Sequence, residues 1–251
     1  MKLSLYLLAF FISLPILPII VEHNEFCALL SYITPDDHHP HTCILLDIDN
    51  TLAHPESFIG TDQWATYEIN KKINQGYSYE EALWEVLQLY FKIQHVIDLI
   101  PVESITVSIV KQLQECGITV LALTSRSHEI SDRTILQLAS MGIDFSYSAF
   151  GNEEVLGILD CNYLYKNGII FCSNNDKGKV FKEIINYFNH AARKVIFVDD
   201  KEKYLHSVQA ILEPHIEFIG IRYSHLDGKV AQFDPLVADQ ELCVLLSDYC
   251  K

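Results

Sequence analysis

Apolar residues in this chain fall into short solid runs separated by amphipathic stretches. Residues 43–46, 120–123 and 195–198 are each four consecutive apolar positions. An unbroken apolar run bounded by polar residues is the pattern of a strand covered on both faces. A fourth run lies at about 216–222, with Gly220 inside it. Helical spacing fills the intervals at about 103–116, 130–141 and 177–189, the first two stopped by Gly117 and Gly142. A terminal helix is expected over 234–249. Asn167-Gly168 marks the turn of a hairpin at about 162–172. Strands alternating with helices predict an α/β fold, a Rossmann-like parallel sheet flanked by helices with right-handed crossovers.

Residues 53–100 interrupt that alternation. Thr61-Asp62 can cap a helix from about Gln63 to Gly76. Ser78 and Glu81 form a capping box, and the helix beyond it aligns Leu83, Val86, Leu87, Tyr90 and Ile93 on one face. The pattern is a small helical cap inserted after the first strand. Trp64 and Tyr67 are read as core of this insertion, with contact to a ligand as the alternative.

The N-terminus is a separate element. Lys2 precedes 19 uncharged residues, 3–21, that include Pro15 and Pro18. Residues 1–22 are read as a secretory signal or a membrane anchor, implying an exported protein, periplasmic or secreted, with a tether if the run is retained. Residues 23–42 are expected to be a linker. Their His38-His39-Pro40-His41 stretch beside Asp36-Asp37 is read as solvated rather than metal-binding. The remainder, 43–52 with 101–251, is the expected α/β core. Seven cysteines show no zinc-like spacing, and Cys161 and Cys172 sit diagonally across the hairpin, too far apart to bridge. A formal net charge of −15 excludes a nucleic-acid backbone as partner but not a small phosphorylated substrate.

The chemistry lies where the runs end. The first delivers Asp47 and Asp49, and side chains at i and i+2 leave a strand on one face. Two carboxylates so close repel, which a bound cation would relieve. The second run ends in Thr124-Ser125, the third in Asp199-Asp200, and Lys177-Gly178-Lys179 opens the helix between them. In an open α/β sheet, ligands bind beyond the carboxyl ends of the strands.

This set, an aspartate pair, a Ser/Thr, a Lys and a final acidic pair in that order, resembles the haloacid dehalogenase-like (HAD) hydrolase superfamily. The insertion and hairpin are similar to those of uncharacterised exported bacterial members. The resemblance spans roughly Cys43 to Ser224. It implies Asp47 as a nucleophile that takes the phosphoryl group and Asp49 as the general acid and base. Thr124 would donate to a phosphoryl oxygen. Lys177, with Lys179 in reserve, would supply positive charge. Mg²⁺ would be the cofactor, held by the Asp47 side chain, the Asp49 backbone carbonyl, Asp199 and Asp200. Dehalogenases of the superfamily lack an acid at the second position, so Asp49 points to phosphoryl transfer. The expected activity is that of a magnesium-dependent phosphomonoester hydrolase or phosphotransferase. The alternative is a non-catalytic HAD-like binding module exported to meet a protein partner. Where many members carry another Asp or Asn after the final pair, this chain continues Lys201-Glu202, so that either Glu202 substitutes or that contact to the metal is missing.

Overall fold

A computed structural model describes residues 18–249; the expected signal or anchor, apart from its last few residues, lies outside them. The chain opens with β1 (Ile19–His23), two 3-10 segments (Phe26–Tyr32 and Pro35–Asp37) and β2 (Thr42–Leu46). The insertion follows: β3 (Ala53–His54), α1 (Asp62–Asn74), α2 (Tyr79–Val96) and β4 (Ile100–Pro101). Next come α3 (Thr106–Glu115), β5 (Thr119–Thr124), α4 (Ser131–Ser140), β6 (Val155–Ile158), β7 (Asn162–Lys166) and β8 (Ile169–Phe171). The last part contains α5 (Lys177–Tyr187), β9 (Lys194–Asp199), α6 (Glu202–Ile211), β10 (Glu217–Tyr223), α7 (Asp227–Ala231) and α8 (Pro235–Tyr249).

Eight strands form one sheet in the order β1-β10-β9-β2-β5-β8-β7-β6, and only β7 runs against the rest. The fold is therefore α/β and Rossmann-like. The solid apolar runs are its central strands because both faces are covered. Ile44 and Leu46 pack toward α3 and α4, while Cys43 and Leu45 pack toward α5 and α6. The adjacent carboxyl ends of β2, β5 and β9 form the floor of the site.

β3 and β4 pair antiparallel and carry α1 and α2 away from the sheet. Ser78 and Glu81 make both bonds of the capping box. A third cluster, with Trp64, Tyr90 and Ile93 buried in it, fills the space beneath these helices.

Three expectations are corrected. Residues 23–42 are not a linker. β1 pairs with β10 along its whole length, and Phe26 and Leu29, one helical turn apart, are buried in the main core. Glu103 fixes this segment by accepting from the Phe26 amide at 2.5 Å and from the Tyr223 hydroxyl. Asp37 is buried against Lys194 at 2.9 Å, while Asp36, His38 and Pro40 beside it are exposed, as the solvated reading of that stretch expects. β1 also takes in Ile19–Val21, the end of the apolar run assigned to a signal, because the sheet edge offers those residues a partner strand. Third, α8 does not belong to the core formed by the rest of 101–251. Its Glu241 carboxylate accepts from the Phe58 and Ile59 amides at 2.8 and 3.1 Å, and Asp239 pairs with Lys71 at 2.8 Å. The C-terminal segment leaves the sheet at β10 and fastens onto the insertion.

Candidate active site

β2 ends at Leu46, and the chain turns at once. The amides of Leu52 and Ala53 both return to the Ile48 carbonyl, and Asn50 adopts a left-handed φ of 61°, which asparagine tolerates well. The Asp47 amide still bonds the Val198 carbonyl at 2.9 Å, so Asp47 is fixed at the sheet's edge beside β9. β9 delivers Asp199 and Asp200 to the same place. One oxygen from each of Asp47, Asp199 and Asp200 lies within 4.8 Å of the others.

Lys177 completes the group. Its ammonium, wholly buried, donates to Asp47 Oδ1 and Asp199 Oδ2 at 2.7 Å each. It is placed by the first turn of α5. Asp176 caps that helix through the Lys179 amide, and Ser207 of α6 links the cap to the Gly178 amide at 2.8 Å. Gly178 must be glycine, because a Cβ there would sit 2.2 Å from the Ser207 carbonyl oxygen. The Lys177 ammonium also lies 4.4 Å from the Tyr204 ring centroid. Lys179 is exposed and has no part in the group.

Burial raises the carboxyls of Asp47 and Asp199 above the usual range, against the pull of Lys177; repulsion from Asp49 adds to the rise at Asp47, and repulsion from Asp47 and Asp200 to that at Asp199. Asp200 is pushed up to about 7, first by burial and then by Asp47. Burial alone would lower Lys177, but Asp199 and Asp47 outweigh it and hold it charged. Once all three carboxyls are ionised, one ammonium leaves two negative charges without a partner, the charge of one divalent cation. Asp200 Oδ1 is buried and without a hydrogen bond. An all-oxygen, hard donor set of this charge fits Mg²⁺. Glu202 points elsewhere: it is exposed and pairs with His206 at 3.4 Å, so it does not replace the missing acid.

Asp49 stands apart from this cluster. Arg126 grips both of its oxygens at 2.8 Å, and the same guanidinium reaches Thr134 and Gln137 of α4. Gln137 in turn bonds the Ile97 carbonyl at the end of α2 at 3.0 Å. Thr124 is buried at the end of β5, and its hydroxyl accepts the Arg126 amide at 3.1 Å. The neighbouring Ser125 hydroxyl is buried and unpaired. Lys201 follows the acidic pair and forms an ion pair with Asp62, the first residue of α1. That pair tethers the insertion to the site floor, and the attraction keeps Asp62 low despite its burial.

Arg126 and Lys201 went unrecognised in the sequence. The available signal was position: each is a cation one or two residues past a strand end already assigned to the site. Trp64 is core, as expected, whereas Tyr67 lines a cleft between α1 and the start of α8.

Among the described residues, no helix is long and apolar enough to cross a membrane. The model of the family described as "Protein of unknown function (DUF2608)" matches residues 22–248. A Chlamydia pneumoniae protein described as "Putative outer membrane protein" is 22% identical over 208 residues, covering 83% of this chain and 77% of that one. Two solved structures are similar at lower levels. A haloacid dehalogenase-like hydrolase from Streptococcus pneumoniae is 13% identical with a TM-score of 0.46, covering 76% of this chain and 98% of its own. A phospho-aspartyl intermediate analogue of phosphoserine phosphatase is 14% identical with a TM-score of 0.36, covering 78% and 100%.

Proposed function

Since the chain belongs to the family described as "Protein of unknown function (DUF2608)", whose description assigns no chemistry, we propose from the site itself that it is a metal-dependent phosphomonoester hydrolase or phosphotransferase working through an aspartyl-phosphate. The observation that carries this reading is the uncompensated charge at Asp47, Asp199 and Asp200, with Lys177 seated between two of them. The order of these residues along the chain, which resembles that of HAD phosphatases, also supports it.

In this reading Asp47 uses the oxygen not held by Lys177 to attack phosphorus. The P–O ester bond breaks, and Asp49 gives a proton to the leaving oxygen. Asp49 then takes a proton from water as that water attacks the phosphoryl group, releasing phosphate and restoring Asp47. Lys177 holds the nucleophile ionised and offsets charge on the phosphoryl oxygens. The Thr124 and Ser125 hydroxyls are the donors available to those oxygens. Arg126 aims Asp49, whose oxygens keep further lone pairs for the travelling proton. Mg²⁺ would be held by Asp47, Asp199, Asp200 and the Asp49 carbonyl, and would supply electrostatic activation of the phosphoryl group. Residues 53–100, together with α7 and α8, serve as a cap that excludes water and selects the substrate. The apolar N-terminal run, and the outer membrane description of the Chlamydia relative, support export.

The test is turnover of p-nitrophenyl phosphate and a phosphometabolite panel with and without Mg²⁺. The expected result is metal-dependent phosphate release, abolished by Asp47→Asn with folding retained. No turnover of any ester, together with no effect of Asp47→Asn on metal binding, would leave the non-catalytic binding module as the better reading.

A further inference from the structure

The C-terminal segment does more than fasten the insertion. α7 carries Lys229 to the start of the insertion, where its ammonium donates to the Pro55 carbonyl at 3.2 Å and lies 2.9 Å from His54 Nδ1, which is itself 2.7 Å from the same carbonyl. Neither partner carries a compensating charge: burial lowers His54 below its ordinary value, which favours the neutral ring. Among the described residues, no carboxylate lies within ion-pair distance of Lys229. Glu56 and Glu241 act on it only from further away, and Glu241 is committed to the Phe58 and Ile59 amides. In a chain with 33 acidic and 18 basic residues, a half-buried cation without a carboxylate is unusual. Burial lowers its pKa, the opposite of what a salt bridge would do.

The surroundings give this cation a ligand's geometry. Lys229 lines a small pocket with Asn50, His54, Thr61, Gln63 and Phe233. The Asn50 amide also donates to Asp200 Oδ2 at 3.3 Å, so this pocket begins where the acidic cluster ends. On its other side it shares Gln63, Val230 and Phe233 with a wider cleft lined by Thr66, Tyr67, Asn70 and Lys201. Those three residues form a wall common to the two hollows. The insertion and α8, which both contribute to the wider cleft, are joined by the Asp239–Lys71 pair and by Glu241 on the Phe58 and Ile59 amides.

We infer that Lys229 is a substrate-binding residue for an anionic group on the leaving alcohol, so that the preferred esters are those whose leaving group carries a carboxylate or a second phosphoryl group. The inference rests on the phosphatase reading for its reaction but not for its binding site. The body of the leaving group occupies the wider cleft. Its anionic end enters the small pocket and takes the donor of Lys229 that His54 and Pro55 leave free. Lys201 does not compete, because Asp62 already neutralises it. The anion replaces the missing counter-ion, so binding gains a charge-assisted hydrogen bond in a partly desolvated place.

The experiment compares wild type, Lys229→Met and Lys229→Arg on matched esters: glycerol 3-phosphate, 3-phosphoglycerate and a glycerol bisphosphate. Lys229→Met is expected to raise KM at least tenfold for the two anionic esters and to leave kcat, and both constants for glycerol 3-phosphate, within twofold. Lys229→Arg should retain the preference. If the loss falls on one of the two anionic esters only, that ester names the group recognised. Equal changes on all three esters overturn the proposal. A second readout is independent of turnover. Succinate is titrated into chelator-resin-treated protein, with the expectation of a tenfold weaker Kd in Lys229→Met than in wild type. If wild type hydrolyses no ester, the phosphatase reading has failed, and the succinate titration alone decides Lys229. Unchanged succinate binding, or none in wild type, overturns it.

Discussion

Replacing Lys177 by Met removes a buried charge with little change in volume. Two carboxylates, Asp47 and Asp199, each lose a partner at 2.7 Å. Breaking a buried pair by removing one partner costs ~3–5 kcal/mol, because the remaining charge stays desolvated. Here two pairs break, but both carboxyls already sit above the usual range and can escape the penalty by binding protons. The cost should therefore depend on pH. At pH 8, where protons are scarce, we expect a loss of ~4 kcal/mol, within the range for one broken buried pair. At pH 5.5 we expect about half of that, because protonated carboxyls need no counter-ion. The assay is urea unfolding in metal-free buffer at the two pH values. A loss below ~1 kcal/mol at pH 8, or a larger loss at pH 5.5, would refute the electrostatic reasoning. The same variant should bind Mg²⁺ at least as tightly as wild type while losing activity, since it leaves the acidic cluster more negative.

Three further outcomes follow from the same geometry. Asp200 holds its proton up to about pH 7 in the folded, metal-free protein, whereas the unfolded chain releases it near 3.8. Its contribution to stability is therefore complete below about 4 and is lost as pH rises toward 7; Asp200→Asn should flatten this part of the stability–pH curve, and Mg²⁺ should raise Tm more at pH 8 than at pH 5.5. Gly178→Ala drives a Cβ against the Ser207 carbonyl at 2.2 Å, and should cost ~1–3 kcal/mol in urea unfolding and lower kcat by displacing Lys177, despite alanine's better helix propensity. Phe26→Ala should cost ~3–5 kcal/mol, a loss no linker residue would show.

The central strands were legible because each is apolar at every position, which only a doubly covered strand requires. The acids at their ends were legible because each follows directly on an apolar run, but the i and i+2 rule failed for Asp49: the strand stops at Leu46, the chain turns, and Arg126 holds Asp49 apart from the cluster. β1 was hidden because Ile19–Val21 continue an apolar run that reads as a targeting segment, and pairing with a strand some 200 residues away leaves no local trace. The 3-10 segment at Phe26–Tyr32 was hidden by its surroundings: histidines, aspartates and prolines suggest solvent, and only the spacing of Phe26 and Leu29 suggested otherwise. β6 is four residues long with Gly157 inside it, too short for a period to register. The attachment of α8 to the insertion rests on Asp239 and Glu241, two acids among 33 that nothing in the sequence singles out. The choice between Lys177 and Lys179 needed coordinates, since adjacent helix positions two apart point in different directions. Arg126 acts across 77 residues, a distance that spacing cannot reveal.

The most direct measurement is a crystal structure of the protein soaked with Mg²⁺ and beryllofluoride, a stand-in for the phosphoryl group. The account predicts beryllium bonded to one Asp47 oxygen, Lys177 still on the other, and the cation on Asp47, Asp199 and Asp200. A cation bound elsewhere, or beryllofluoride absent from Asp47 with Mg²⁺ in place, would contradict it.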